Sequence, residues 1–187
     1  MRGPLLSGPL GTTQTLEALV RWTKDRAPVA VLGPPWLGDA LAKAGPALLL
    51  VEAPVRPQAV RARRRAQREK RPLHVALAGG ALPFRPRSLG ALVAENVAGL
   101  GDEDAAHWLA GLVPALRPGG RLIAADATSS TAAAARVAGA FLSAALTDIV
   151  QEWPREGVVI TAATAPSTAV GEARFGDARF GSATATI

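Results

Sequence analysis

Short runs of apolar residues alternate with stretches of helical character along most of the chain. The runs are bounded by proline, glycine or polar residues and lie at residues 29–32, 47–51, 73–77, 89–93 and 121–125. Helical spacing of apolar residues, or high helix propensity, is found between them at residues 12–25, 36–44, 57–71, 103–116 and 132–145. Strands that are nearly all apolar and alternate with helices are typical of a parallel sheet covered on both faces.

The C-terminal part predicts a change in strand direction. Strand-like segments at residues 147–153 and 157–163 are separated by Pro154-Arg155-Glu156, which is typical of a hairpin turn. The elements together predict an α/β fold with a mainly parallel seven-stranded sheet and a C-terminal antiparallel β-hairpin.

Both ends of the chain differ from this central part. Residues 1–11 are rich in glycine and proline and predict an irregular arm. Residues 165–187 are poor in aliphatic side chains and repeat the tetrapeptide Ala-Arg-Phe-Gly, which favours a flexible, low-complexity tail, with a docking peptide as the alternative. The predicted domain therefore covers residues 12–164.

Side-chain oxygens stand where they can cap two of the helices. Thr12 or Thr13 precedes the first apolar position of the first helix, and Asp102 precedes the helix at residues 103–116. Gly45 and Pro46 end the helix at residues 36–44.

Composition excludes several kinds of chemistry. The chain has 187 residues with no cysteine and no tyrosine. This length is that of one domain, which buries most of its apolar surface without covalent staples. Because cysteine is absent, disulfides, thiolate metal sites and a cysteine nucleophile are excluded.

The net charge of +6 is concentrated in one predicted helix. Seven arginines, one lysine and one glutamate lie between Arg56 and Arg71, so this segment carries +7 and the other residues together carry −1. Helical spacing predicts an arginine face opposite an alanine face, formed by Arg61, Arg64, Arg65 and Arg68 and by Ala59, Ala62 and Ala66. The arginine face is either solvated outer surface or a binding site for an acidic or phosphate-bearing partner. The shortage of aromatic side chains disfavours single-stranded nucleic acid as that partner.

No segment predicts export or insertion into a membrane. Residues 1–9 contain no apolar core of signal-peptide length, and the longest apolar stretch, residues 132–146, is interrupted by Arg136. We therefore expect a cytoplasmic protein that does not act at a membrane.

Three segments together resemble a known family. They are Ala81-Leu82-Pro83-Phe84 after the third strand, Leu116-Arg117-Pro118-Gly119-Gly120-Arg121-Leu122 before the fifth, and residues 151–161 in the closing hairpin. In this order and spacing they resemble class I S-adenosylmethionine-dependent methyltransferases, in particular the small type 11 domains. The resemblance implies a Rossmann-like, doubly wound sheet and S-adenosylmethionine as the cofactor.

The segment after the first strand departs from that family. The family places an acid and then G-x-G-x-G there, because glycines let the backbone approach the cofactor closely. In this chain Val31 stands at the acid position, Gly33 matches the first glycine, and Pro35 and Leu37 replace the other two. Proline lacks the amide proton and leucine adds a side chain, so both oppose cofactor binding. If the alignment with the family motif shifts by one residue, Gly38 compensates in part for the missing glycines.

Of three further positions at which the family favours an acid, this chain has the acid at one and lacks it at two. Glu52 ends the second strand 19 residues after Gly33, where the resemblance implies a carboxylate that binds the cofactor ribose. The alternative for Glu52 is a solvent-facing carboxylate or one that pairs with the arginine helix. The next family acid falls at Ala78, where no carboxylate is near; Gly79, which follows, is kept as a candidate cofactor contact, and the acid of the fourth strand is replaced by Gly90.

Two further observations concern possible chemistry. Asp126 and Glu95 follow strands, and form either a small polar site or, for Asp126, a cap for the helix from Thr128 onward. His74 and His107 have no ligand partners at suitable spacing, so structural or surface roles are favoured and no metal site is predicted.

Two functional hypotheses follow. The first is a methyltransferase-fold protein with an eroded cofactor site, a pseudoenzyme that works as a non-catalytic interaction or regulatory module through the arginine helix, the tail or self-association. The second is a divergent S-adenosylmethionine-dependent methyltransferase that acts on a small molecule and keeps Glu52 as its cofactor anchor. The sequence favours the first, because Pro35 and Leu37 oppose binding physically. It assigns no catalytic residue.

Overall fold

The chain folds around one seven-stranded sheet with the strand order β3-β2-β1-β4-β5-β7-β6. The computed structural model describes residues 9–43, 45, 47–51, 56–77 and 84–167. The strands are β1 (Val29–Leu32), β2 (Ala47–Val51), β3 (Leu73–Leu77), β4 (Leu89–Glu95), β5 (Leu116–Asp126), β6 (Thr147–Arg155) and β7 (Val158–Thr164). The predicted α/β, Rossmann-like class is confirmed.

The first five strands are parallel. β1 pairs with β2 on one side and with β4 on the other, so that Val31 lies between Leu49 and Val93. The side chain of Val31 is completely buried, as the continuous apolar run predicts for a strand covered on both faces. β7 then pairs antiparallel with both β5 and β6, and β6 forms one edge of the sheet.

Within the part of the chain that the structure describes, five α-helices cover the two faces of the sheet. They are α1 (Thr13–Thr23), α2 (Pro35–Leu41), α3 (Arg56–Arg68), α4 (Asp102–Leu112) and α5 (Thr131–Ser143). Side chains of α1, α2 and α3 share one buried cluster, whereas α4 and α5 contribute to a second. Phe141 of α5 is the largest fully buried side chain. The structure is therefore three-layered, with a separate apolar core on each side of the sheet.

The two predicted helix caps have different outcomes. Thr12 is the N-cap of α1, where its hydroxyl accepts from the amide of Thr15 at 3.4 Å. Asp102, predicted as a cap, is instead the first residue of α4, and Gly101 holds the N-cap position without a side-chain bond. Asp102 pairs with Arg136 of α5 at 3.1 Å, so its carboxylate joins two helices.

Gly90 is required by close packing rather than by a turn. A Cβ built on Gly90 would lie 1.9 Å from the carbonyl oxygen of Arg26, so a side chain of any kind is excluded there. Gly90 is the second residue of β4, whereas Glu95 is the last. The missing acid at Gly90 therefore lies at the opposite end of the strand from the candidate site, and its loss removes no contact from that site.

Polar contacts join α1 to the edge strand β6. The indole Nε1 of Trp22 donates to Oε2 of Glu152 at 3.0 Å, and Arg21 forms an ion pair with the same carboxylate. The guanidinium of Arg121 lies 4.9 Å from the centre of the Trp22 ring, within cation–π range. Burial alone would raise the pKa of Glu152, but the hydrogen bonds from Arg21 and Trp22 outweigh it and hold that pKa below its usual value.

The ordered domain extends slightly beyond the predicted boundaries. Leu10, assigned from sequence to the irregular arm, is buried in the core. Ala165, assigned to the tail, is buried as well, and its amide donates to the carbonyl oxygen of Gly120 at 2.7 Å. Residues 1–8 and 168–187, where the arm and the tail were predicted, lie outside the described residues. No helix in the described part of the chain is long and apolar enough to cross a membrane.

Candidate functional site

Three strands end at the edge of the sheet where the chain order reverses. β1 is flanked by β2 on one side and β4 on the other, and open α/β sheets bind ligands outside the carboxyl ends of the strands at such a point. Gly33 follows β1, Glu95 ends β4 and Asp126 ends β5. The register pairs Glu95 with Ala125, so Asp126 stands one residue further along the neighbouring strand.

The connection from β1 to α2 is short and poor in free amides. It consists of Gly33 and Pro34 alone, because α2 begins at Pro35, one residue earlier than predicted. Neither proline has an amide proton. The amide of Leu37 donates to the carbonyl oxygen of Pro34 at 3.0 Å. Three amides that a glycine loop and a helix N-terminus would offer to a ligand are therefore absent or already bonded.

The side chain of Leu37 belongs to the core. The residue is 1% exposed and lies in the same buried cluster as Val31. A Cβ built on Gly33 would lie 3.6 Å from Cδ2 of Leu37, so the leucine fills the interior directly beside the loop. Trp36 packs against the same cluster and is half-buried. The loop therefore packs directly against the core on this side.

Gly38 lies inside α2 rather than in the loop. It is buried, and its carbonyl oxygen accepts from the amide of Ala42 at 2.9 Å. The one-residue slip that would bring Gly38 to a cofactor is therefore absent from the structure. Of the predicted loop glycines, Gly33 alone stands at the carboxyl end of β1.

Glu95 lies against Gly33 from the neighbouring strand. A Cβ built on Gly33 would lie 3.4 Å from Cβ and 3.5 Å from Oε2 of Glu95. Burial raises the pKa of Glu95, and the negative charge of Asp126 raises it further. Of the two acids that the sequence paired as a small polar site, Asp126 therefore acts on the charge state of Glu95 at this edge.

Asp126 caps the turn that follows β4. Its Oδ1 accepts from the amide of Ala98 at 2.7 Å, within the 3₁₀ turn Val97–Gly99. The residue is 1% exposed, and its Oδ2 has no hydrogen-bond partner among the described residues. Burial raises the pKa of Asp126, and the amides of Ala98 and Val97 offset this only in part.

The alternative prediction for Asp126, a cap for the helix from Thr128 onward, is wrong. α5 begins at Thr131, and the hydroxyl of Ser130 caps it by accepting from the amide of Ala133 at 3.2 Å. Asp126 is instead committed to the turn after β4.

Several predicted positions are not part of the geometry described above. Glu52 and Gly79, two of the four predicted cofactor contacts, lie outside the described residues, as does Ala78. His74 is exposed on β3 and His107 on α4, and the described residues hold no group of three or more side chains that could bind a metal ion.

Comparison with solved structures identifies the fold. No protein-family model and no curated protein matches the chain. Human N-acetylserotonin methyltransferase in complex with S-adenosylmethionine matches with a TM-score of 0.66 and 10% identity, over 84% of this chain and 52% of that one. A putative methyltransferase in complex with the Haloferax volcanii Trm112 methyltransferase activator matches with a TM-score of 0.61 and 18% identity, over 80% and 88%. This chain has the class I methyltransferase fold.

The methyltransferase fold by itself does not decide the chemistry. The [4+2]-cyclase SpnF also matches, with a TM-score of 0.63 and 12% identity, over 83% of this chain and 81% of that one. Function therefore has to be argued from the site rather than from the fold. The chain also spans about half the length of several of the solved structures it matches.

On this methyltransferase fold, α3 carries the arginine face at the β3 end of the sheet. Ala59 and Ala66 are completely buried and Ala62 packs against the same core, as the spacing predicted. The four residues of the arginine face are all exposed: Arg61, Arg64, Arg65 and Arg68. Helix α3 therefore anchors to the domain through alanines and presents guanidinium groups outward.

Acids approach one side of the arginine face more closely than the sequence indicated. Asp39 of α2 lies 3.3 Å from Nη1 of Arg71 and 3.6 Å from Nη1 of Arg65, and Glu69 pairs with Arg71. Asp39 and Arg71 are 32 residues apart. Nothing in the local pattern indicates such a pair, which is why it was missed.

Two grooves flank the exposed side of α3. One has a volume of about 570 Å³ and is lined by Arg61, Arg64, Arg65, Gln67 and Arg68. The other has a volume of about 330 Å³ and is lined by Arg63, Gln67, Arg71, Pro72, Leu73 and His74. Gln67 lines both grooves, so the two lie next to each other across the helix.

Proposed function

We propose that this protein is a methyltransferase-fold pseudoenzyme: its S-adenosylmethionine site is eroded, and it works as a non-catalytic interaction or regulatory module in the cytoplasm. The observation that carries the proposal is the connection after β1. Pro34 and Pro35 offer no amide, the amide of Leu37 is already bonded, and its side chain is buried in the core. These residues do not fit a cofactor that needs close backbone approach.

The energy of the missing contacts is large enough to matter. A hydrogen bond to a charged group contributes about 1.5–3 kcal/mol. Loss of two such bonds costs about 3–6 kcal/mol and weakens binding by about a hundredfold to ten-thousandfold, a range that includes the change from a micromolar to a millimolar ligand. At such an affinity the site would stay largely empty at micromolar cofactor.

A fold relative supports the interaction role. The matching structure that contains the Haloferax volcanii activator is a complex between a putative methyltransferase and a partner protein. Because that match covers 88% of the methyltransferase chain, a domain of this size is compatible with assembly into a complex. We infer that association, by a partner or by a second copy, is how this module acts.

Calorimetric titration with S-adenosylmethionine and with S-adenosylhomocysteine tests the proposal. We expect no saturable heat, and no rise in melting temperature, up to millimolar ligand. Saturable micromolar binding that is abolished by Glu52→Ala, and retained by Glu156→Ala on the β6–β7 turn, would overturn it. Glu156 is an exposed carboxylate at a distant position and therefore controls for the loss of one negative charge.

One observation favours the second candidate, a divergent methyltransferase that acts on a small molecule. Glu95 and Asp126 place two carboxyl groups with raised pKa at the carboxyl edge, one of them beside Gly33. A bound cation would offset the burial and the like charge that raise these pKa values, and the cofactor carries a sulfonium and an ammonium group. Under this candidate, Glu95→Gln weakens cofactor binding at least tenfold. Under the favoured one, the wild type and the variant both fail to bind.

A further inference from the structure

We infer that the arginine face binds the phosphate backbone of a double-stranded nucleic acid without reading its sequence. The inference rests on the proposed interaction role, since it names a partner for the module. The proposed function and this inference can fail independently. Titration with the cofactor tests the proposed function, and titration with a duplex tests the inference.

Charge density is the first reason. α3 has 13 residues, which corresponds to a helix of about 20 Å at 1.5 Å per residue. Arg61, Arg64 and Arg68 follow one another along its outer side over about 10 Å. In the described residues no acid pairs with these three, whereas Arg65 shares Asp39 with Arg71. The outer side is therefore a row of cations on a rigid support, which suits a line of phosphates.

The second reason is the absence of an apolar centre. The described residues that line the first groove are four arginines and a glutamine. Of the large apolar side chains described as exposed, α3 carries Val60 alone. Interfaces with folded proteins have an apolar centre that is depleted of charge, and a few buried anchors there contribute most of the affinity. Nucleic-acid backbones are bound by wet, strongly positive surfaces, and this groove has that character.

The third reason separates duplex from single strand. No phenylalanine, tryptophan or tyrosine is among the described residues that line either groove. Single-stranded nucleic acids are usually held by bases stacked on such rings. The basic surface instead extends over α3 to Arg63 at the second groove, where Arg71 is already paired with Asp39 and Glu69. A convex basic helix complements a duplex groove bordered by phosphates on both sides.

Fluorescence anisotropy with a labelled 20-base-pair duplex of random sequence tests this. The full chain is titrated at several salt concentrations between 50 and 200 mM. We expect saturable binding whose affinity falls steeply with salt, since bound phosphates release counterions. The variant Arg61→Gln/Arg64→Gln/Arg68→Gln is expected to bind at least tenfold more weakly at 100 mM salt. Its slope of log affinity against log salt should be shallower by about three.

A matched control removes the same charge elsewhere. Arg85→Gln/Arg136→Gln/Arg155→Gln changes three exposed arginines outside α3 and lowers the net charge by three as well. This control should stay within about twofold of the wild type, and circular dichroism should show both variants folded. Equal loss in the two triple variants would mean a general charge effect and would overturn the inference.

Two competitors decide the kind of polyanion. Unlabelled duplex should compete better than a single strand of the same length and better than poly-glutamate at equal charge concentration. Preference for the single strand, or for poly-glutamate as a model of an acidic protein surface, would overturn the assignment to a duplex. Absence of binding at 50 mM salt with tens of micromolar protein would overturn it altogether.

Discussion

Asp126 and Ala98 are joined by a hydrogen bond of 2.7 Å although 28 residues separate them in the chain. The bond ties the end of β5 to the turn after β4 and uses one carboxylate oxygen. The other oxygen is buried and has no partner in the described part of the protein. Burying an ionised carboxylate in that position costs free energy on folding, so the stability of the protein should depend on the charge of Asp126.

Asp126→Asn should stabilise the protein at alkaline pH. Folding raises the pKa of Asp126 above its ordinary value of 3.8, so the stability that its protonated form contributes is present below that value and is lost as pH rises through the folded pKa. Asparagine keeps the acceptor for Ala98 and has no charge. We expect it to exceed the wild type by about 1 kcal/mol at pH 8 and to equal it near pH 3. Urea unfolding across this range measures the difference.

The variant Asp126→Ala tests the hydrogen bond to Ala98 separately from the charge of the carboxylate. At pH 3 the carboxyl group is neutral, and the alanine variant should be less stable than the wild type by about 1 kcal/mol, because the bond to Ala98 is gone. An asparagine variant that is destabilised equally at pH 3 and pH 8 would show that the charge at Asp126 carries no cost.

Leu37→Ala should destabilise the fold by about 2–5 kcal/mol, since it leaves a cavity in a packed core. The control is Leu142→Ala in α5, where the leucine is 67% exposed and the change should stay within about 0.5 kcal/mol. Chemical denaturation of the two variants gives the comparison. If Leu37→Ala proves as mild as Leu142→Ala, the side chain at position 37 is not an integral part of the core.

Gly90→Ala should be among the most damaging single substitutions. The added Cβ meets the backbone oxygen of Arg26 and cannot be relieved by a side-chain rotation, so we expect a loss above about 3 kcal/mol or failure to fold. Gly139→Ala is the control, because nothing lies within 4 Å of its Cβ position in α5. That change should instead stabilise by about 0.5–1 kcal/mol through helix propensity. Melting temperatures of the two soluble variants suffice as a test, and a Gly90→Ala protein of wild-type stability would contradict the packing.

Glu152→Gln should weaken the attachment of α1 to β6 at neutral pH only. Its pKa lies below the ordinary 4.5, so the stability it contributes is present above that value and is lost as pH falls through the folded pKa. Because the side chain is partly exposed, solvent screening limits the loss at pH 7 to about 1 kcal/mol or less. Glu156→Gln on the adjacent turn is the control, and its unfolding free energy should not change.

Most of the fold could be predicted from the sequence because buried parallel strands leave a direct signature. The bounds of β1, β2 and β3 agree with the predicted runs to the residue, since each run is apolar except for His74 in β3 and each begins directly after a proline. The start of β5 was missed by five residues. The Arg117–Gly120 segment was predicted as a turn, yet it runs within the strand up to Arg121.

Less of the candidate site could be predicted, because its contacts join distant parts of the chain. Gly33 and Glu95 meet only through the pairing of β1 with β4, and the cap at Ala98 depends on the length of β5. The salt bridge between Asp39 and Arg71 likewise crosses from α2 to the end of α3. None of these pairs produces a periodic or local pattern, and spacing alone therefore could not reveal them.

The burial of Leu37 also constrains how this protein can evolve. Glycine at that position would remove a core side chain at a cost of about 2–5 kcal/mol and add about 1 kcal/mol for glycine within a helix. That is a large share of the 5–15 kcal/mol that holds a typical domain together. Pro34 and Pro35 would have to change as well before the backbone offered amides at this turn. A lineage with this arrangement can therefore reach a glycine loop only by way of less stable intermediates, and the packing of Leu37 opposes that change.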